Sequence, residues 1–494
     1  MKTLKKLYKK VDFDKRTIEV GNTSIVVHPY YLGEMEILER NLSVWNDVYF
    51  RREPLGYDYD SDTKTLFLPA TINESTVQKF YHTSNVIYKN SDKSRKVKFK
   101  LNYGPRDEKQ ILAINFLLGR GSYVSNKFYK RLMLSLDTGV GKTYCAIAAV
   151  QELGVLSAII LPDSTLMERW ITGILEFTDI PRDEIYIIKG RESIDNIIKD
   201  GYDLTEKIIL VSHRTITKYA ISNGWANITK LFQRLKIGVK IYDEAHKEVK
   251  SIINLDLHTN TDKTIYLTAT ADRSSFKEKA IYKNIFLKIP VLEFKNTKRE
   301  DNHINMMILK YNSYPDLKSQ FICKGRKGFS MINFMKYNMN KGSLSFLNAI
   351  NIFLNTVLEK EGRIVIFVGL IDMVFYLEQY IKQTYPKYQD DVGVYCSKIS
   401  KEQKEDTFNN KRIIISIYKS LGTGADIEGL RFICMAEPYS SAIIAKQCSG
   451  RLREKGWYFE LIDEGFKDCT RQYEFRKKEL IKKANKFKEI TIER

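Results

Sequence analysis

The apolar residues of this 494-residue chain fall into two series of short runs, each followed by a stretch with helical spacing. The first series reads RLMLSL (131–136), AIILP (158–162), KIILVS (207–212), KIYDE (240–244) and TIYLTAT (264–270). The second reads RIVIFVG (363–369), DVGVYC (391–396), KRIIISI (411–417), RFICMA (431–436) and WYFELID (457–463). Short apolar strands that alternate with longer helical patterns are the reading of βαβ units and a parallel sheet. The pattern predicts an α/β chain with two such blocks. Between them, residues 295–343 read as irregular, polar and rich in Asn and Lys, with an insertion at about 313–343.

Residues 1–100 have a different rhythm. Short β-type runs (Thr17 to Val20, Ser24 to Val27, Thr65 to Leu68) are separated by turn signals such as Tyr57-Asp58-Tyr59-Asp60. This predicts a small α+β accessory domain over 1–100, bounded by the lysine-rich stretch Lys89 to Lys100. The two blocks then occupy 101–294 and 295–494. The tail from Lys467 has helical spacing and holds 10 Lys/Arg against 5 Asp/Glu.

No run of about 18 apolar residues is present, so no membrane span is expected. The basic start MKTLKKLYKKVDFDKR lacks the apolar core of a secretory signal. None of the six cysteines stands at C-x-x-C spacing, which argues against a zinc site or a disulfide framework and fits a reducing cytoplasm. The net charge of +20 points to a polyanionic partner such as nucleic acid, because neutralised phosphates release counterions.

Two motifs carry chemistry. Asp137-Thr138-Gly139-Val140-Gly141-Lys142-Thr143 lies between the run RLMLSL and the helical stretch TYCAIAAVQEL. A Gly-rich turn there lets backbone N–H groups and a helix N-terminus face phosphates; Lys142 would reach the β- and γ-phosphates and Thr143 would ligate Mg²⁺. The strict P-loop pattern has a glycine where Leu136 stands. The second motif, Asp243-Glu244-Ala245-His246, follows the run KIY. Asp243 suits a hard cation through water, and Glu244 is placed to activate an attacking water.

With these motifs in place, residues 101–465 resemble superfamily 2 helicases of the DEAH type. Tyr103 to Gln110 resembles the Q motif, Ile159 to Trp170 motif Ia, and Val211 to Thr215 the next strand-binding motif. Leu267-Thr268-Ala269-Thr270 resembles motif III, Ile366-Phe367-Val368 motif IV, Leu421 to Ile427 motif V, and Gln447 to Arg453 motif VI. Length and a small N-terminal domain make viral and phage helicases, of the T4-phage UvsW and poxvirus late types, the nearest resemblance.

The resemblance implies two tandem RecA-like parallel-sheet domains with ATP and Mg²⁺ between them. It implies that Gln110 reads adenine, that Thr138, Gly139, Val140, Gly141, Lys142 and Thr143 hold phosphate, and that Gly424 and Asp426 join the nucleotide site. It implies strand contacts at Pro162, Thr165, Ser212, His213, Thr215 and Thr423. Gln447, Arg451 and Arg453 would act on the γ-phosphate, where an arginine from a second domain offsets developing charge. The family has a second arginine three residues after the first; here Glu454 holds that place, so the finger is Arg451 or Arg453. The implied activity is ATP-driven unwinding of branched DNA or hybrids, 3′ to 5′, by a monomer in a cell or host cytoplasm. Replication, recombination or transcription proteins would be its partners. A duplex translocase, an RNA helicase and a scaffold with a degenerate ATP site remain open readings. A strand-separating wedge would come from the 30 Tyr and 25 Phe, and the sequence does not say which.

Overall fold

A computed structural model describes the chain apart from residues 1–14, 31–41, 47–50, 73, 82, 84, 91–92, 121–129, 137–140, 163–165, 201–203, 269–284, 287, 295–303, 326–327, 422–426, 440–443, 445–447, 453–454 and 494. The chain divides into two compact units, Met1–Lys295 and Asn296–Arg494.

The first unit holds a seven-stranded sheet in the order Ile185–Ile188, Ile208–Ser212, Ser157–Leu161, Val239–Tyr242, Lys263–Thr268, Arg131–Ser135, Val291–Glu293. Every neighbouring pair is parallel. All five runs predicted in the first series are strands of this sheet. The central ones are buried at every residue, as uninterrupted apolar runs require. Each fully buried Leu, Ile or Val contributes about 1.5–3 kcal/mol over an exposed one.

The second unit repeats the architecture. Its strands run Val392–Tyr395, Ile413–Ile417, Arg363–Val368, Leu430–Met435, Gly456–Asp463, Ile304–Tyr311, Lys486–Thr491, again all parallel. Two of these strands depart from the sequence reading. Ile304–Tyr311 lies within the stretch read as irregular, yet pairs along its whole length with Gly456–Asp463. The tail forms the expected helix, Lys467–Lys483, and then an edge strand, Lys486–Thr491. Region 313–343 is not irregular either: helices Leu317–Cys323 and Met331–Asn338 flank a small hairpin.

The N-terminal sheet is mixed, in the order Asp58–Asp60, Thr65–Pro69, Ser24–His28, Thr17–Val20, Val86–Tyr88, with only the last pair parallel. The turn signal at residues 57–60 is thus an edge strand. Its sheet is distinct, but it shares one apolar core with the first parallel sheet. Thr23 Oγ1 donates to the Thr259 carbonyl at 2.6 Å, Asn22 Nδ2 to Thr261 at 2.8 Å, and Asp58 pairs with His258 at 2.7 Å. The predicted boundary Lys89 to Lys100 is pinned along the block, with the Arg95 amide donating to Lys236 and the Val97 amide to Gly154. Among the described residues no helix is long and apolar enough to cross a membrane.

Candidate nucleotide site

In an open parallel sheet, ligands gather outside the carboxyl ends of the strands. Here Arg131–Ser135, Lys263–Thr268 and Val239–Tyr242 are near neighbours, so the P-loop, motif III and the Asp-Glu-Ala-His segment leave one edge together. Gly141 caps helix Lys142–Leu153 with a left-handed backbone, φ +100°. A Cβ there would stand 2.5 Å from Gln110 Nε2, so the backbone conformation calls for glycine and any side chain would displace the Gln110 amide. The helix N-terminus adds a partial positive charge. Lys142 Nζ donates to the Leu136 carbonyl at 2.7 Å, folding the lysine back over the start of the loop. Thr143 stands in the same first turn, its methyl facing Gly173 of the neighbouring helix.

Asp107 caps helix Glu108–Leu117 by accepting from the Gln110 amide. The Gln110 side chain is buried, and its Oε1 accepts from the Arg106 amide at 2.8 Å. The Gln110 amide group is therefore held against the P-loop glycine.

Asp243 is fixed from two sides: Oδ2 accepts from the Trp170 indole at 2.9 Å, and Oδ1 from the Glu244 amide at 2.9 Å. Burial and the Glu244 charge push the Asp243 carboxyl above its usual pKa, while the Trp170 hydrogen bond, Lys142 and Arg169 pull the other way. Glu244 itself has a left-handed backbone, φ +48°, which is uncommon for a residue with a side chain. Its Oε2 is buried, lies 3.3 Å from His246 Nδ1, and takes no hydrogen bond among the described residues. His246 Nδ1 also meets Thr268 Oγ1 at 3.0 Å, which ties the acidic segment to motif III. Hard oxygen donors at Asp243 and Thr143, with an unsatisfied carboxylate oxygen beside them, fit Mg²⁺, which keeps several waters and takes few protein ligands. The sequence reading missed Trp170 and Arg169 as supports of Asp243. Their only signal is tertiary: they sit on the helix that follows the adjacent strand.

Residues 102–273 match the family described as the res subunit of type III restriction enzymes. A protein of Haloarcula marismortui named as a putative DNA 3'-5' helicase Rad25 is 26% identical over 144 residues, which is 29% of this chain and 20% of that protein's length. The structure of S. cerevisiae Dbp5 bound to RNA and ADP BeF3 aligns over 78% of this chain and 89% of its own, with TM-score 0.50 and 12% identity. The chain is similar to the superfamily 2 helicases. At 12% identity the Dbp5 likeness is one of fold, and that fold is two RecA-like parallel-sheet domains. T4 UvsW aligns over 97% of this chain and 99% of its own with TM-score 0.35 and 15% identity.

Against this helicase-like frame, the predicted strand contacts divide. His213 is a correction. It is buried, stacks on Tyr242 at 5.6 Å, and meets Ser251 Oγ at 2.9 Å. Burial lowers its pKa to about 3, so it is a neutral core residue with no side-chain surface to offer a nucleic acid. Ser212 is also buried and caps helix His213–Asn223, accepting from the Thr215 amide at 3.1 Å. Thr215 is half-buried and Pro162 buried, while Arg214 between the two caps is exposed. Arg451 is half-buried in a turn, its amide donating to the Cys448 carbonyl at 3.2 Å. Thr138, Gly139, Val140, Thr165, Thr423, Gly424, Asp426, Gln447 and Arg453 lie outside the described residues.

Proposed function

We propose that the chain is an ATP-dependent superfamily 2 motor that moves along and unwinds DNA. The observation that supports this best is the meeting of Lys142, Asp243 and Glu244 beyond the ends of two strands of one parallel sheet that are one strand apart, with Lys142 close enough to favour the charged form of Asp243. ATP would place its phosphates on the N-terminus of helix Lys142–Leu153 and on residues 138–143, with Gln110 toward the base. Thr143 and Asp243 would hold Mg²⁺, which supplies neutralisation of charge on the β- and γ-phosphates. Glu244 takes the proton of the attacking water. Arg451 and Arg453 are the second unit's candidates for offsetting charge on the γ-phosphate, with Gln447 positioning it and Gly424 and Asp426 as candidates for binding the nucleotide.

The Haloarcula relative, named as a DNA 3'-5' helicase, supports DNA and that polarity, as does the net charge of +20. Resemblance to viral and phage helicases supports a role in replication, recombination or transcription. RNA is the second reading, since Dbp5 was solved with RNA. Stimulation of ATPase by single-stranded DNA against RNA separates the two. The assignment itself is tested by Glu244→Gln. Removing a general base costs about 10²–10⁴ in turnover, while ATP and DNA binding persist. Undiminished hydrolysis in that variant would overturn the mechanism.

A further inference from the structure

The second unit presents a surface that the ATP chemistry does not use. Helix Leu317–Cys323, the hairpin Lys324–Gly325 with Gly328–Phe329, and helix Met331–Asn338 form one compact module. Its inner side is firmly built. Phe329, Phe334 and Tyr337 pack edge-on against Phe466, with centroids 6.2, 5.2 and 5.2 Å away. Tyr337 Oη donates to the Ser313 carbonyl at 3.0 Å, and Ser313 Oγ donates to Asp463 at 2.5 Å.

The outer side is apolar and open to solvent. Leu317 is 84% exposed, Phe321 79%, Ile332 53% and Ile322 49%. Leu317 and Phe321 stand one helical turn apart, so they share a face. Large apolar residues exposed together on a rigid module mark an interaction site. Charge says what kind. From residue 317 to 358 the sequence contains no Asp or Glu, while it contains Lys318, Lys324, Arg326, Lys327 and Lys336, besides Lys341, which pairs with Asp316 at 2.8 Å. Lys318, Lys324 and Lys336 are exposed beside the apolar residues.

We propose that this module binds single-stranded nucleic acid, with the lysines on the backbone and Phe321 and Leu317 against unstacked bases. Aromatic side chains within a positive surface are how single strands are held without sequence preference. An acidic protein segment would meet the same charge. A nucleic acid is favoured because the exposed ring of Phe321 can stack on a base while the lysines beside it meet phosphates. The inference rests on the reading of the chain as a nucleic-acid motor, and it names the residues that touch the separated strand.

The test uses the full chain, with Phe321→Ala and Lys318→Glu/Lys324→Glu made at exposed positions. Binding is read by fluorescence anisotropy with a labelled oligothymidylate of about 12 nucleotides. Phe321→Ala is expected to weaken binding about tenfold while ATPase without nucleic acid stays unchanged. The charge-reversed variant should flatten the dependence of affinity on salt. Wild-type affinity in Phe321→Ala overturns this inference and leaves the motor reading standing. No binding of any nucleic acid by the wild-type chain overturns both. Loss of binding to an acidic peptide or anionic vesicles, with oligonucleotide binding intact, reassigns the surface.

Discussion

Among the described residues each parallel sheet buries a Lys- or Arg-carboxylate pair, and the two sheets build it in opposite senses. In the first unit the cation is on the strand and the acid on a helix. Lys240 Nζ lies 2.7 Å from Asp256 Oδ1, and that carboxylate also accepts from Tyr242 at 2.7 Å and Tyr266 at 2.5 Å. Lys240 stands three residues before Asp243. In the second unit the acid is on the strand and the cation on helix Lys467–Lys483. Arg476 donates to Glu460 through Nη2 at 2.8 Å and Nε at 3.1 Å, and Tyr458 adds a bond at 3.0 Å. Arg476 also donates to the Tyr439 carbonyl and covers the Tyr439 ring, four residues beyond strand Leu430–Met435. The difference is one of chemistry. A lysine can release its proton when burial makes the charge costly; a guanidinium cannot. The first cluster should answer to pH and the second should not.

The largest expected effect comes from breaking the second cluster. Arg476→Met leaves Glu460 buried and uncompensated, which costs about 3–5 kcal/mol. The double variant Arg476→Met/Glu460→Leu should recover most of that loss, because an apolar pair of similar volume needs no charge balance. Urea unfolding followed at Trp457, which lies on the same strand as Glu460, reads both. Equal destabilisation by single and double variants would mean that packing, not charge, holds the helix.

A smaller effect lies on the acid side and is confined to the first cluster. His213 stacks on Tyr242, which stacks on Tyr266 at 5.5 Å. Burial lowers the His213 pKa from 6.5 to about 3, so the unfolded chain binds this proton and the folded chain does not. Its contribution is present above pH 6.5 and is lost as pH falls toward 3, at about 1.4 kcal/mol per pH unit. His213→Gln removes that slope. Parallel pH profiles for wild type and variant between pH 6.5 and 5 would show that His213 is not the buried neutral group described.

His213 also shows where sequence reading runs out. The motif pattern placed it with the strand contacts, because pattern records the chain neighbours Ser212 and Thr215 and not the ring of Tyr242. The ten apolar runs were legible for the opposite reason: a strand covered on both faces is mostly apolar, its rare charges paired within the core as Lys240 and Glu460 are, and that shows without a structure. Edge strands carry no such requirement. Lys486–Thr491 alternates exposed and half-buried residues, so its lysines read as a solvated helix tail. Asp58 read as part of a turn because its partner His258 is 200 residues away. For the site, Lys142, Asp243 and Glu244 were legible because phosphate and metal chemistry restricts residue type at fixed spacing. Trp170 was not, since any residue that donates to Asp243 from the neighbouring helix would serve.

The smallest effect is on the alkaline side and separates the clusters most cleanly. Burial lowers the Lys240 pKa below 10.5 despite the opposing pull of Asp256, whereas the Glu460 charge holds Arg476 above its ordinary value in spite of burial. Between the lowered folded value and 10.5, the unfolded chain holds a proton on Lys240 that the folded chain has released. Stability from this group therefore rises with pH across that window. Lys240→Met should flatten the rise, whereas Arg476→Met, which removes a group that does not titrate in this range, should leave it in place. The comparison to make is the difference in unfolding free energy between Lys240→Met and wild type as pH is raised. A difference that stays constant would mean Lys240 remains charged and that both clusters are fixed ion pairs. A difference that widens with pH, with Arg476→Met showing none, would tie the contrast to the choice of lysine in the first cluster and arginine in the second.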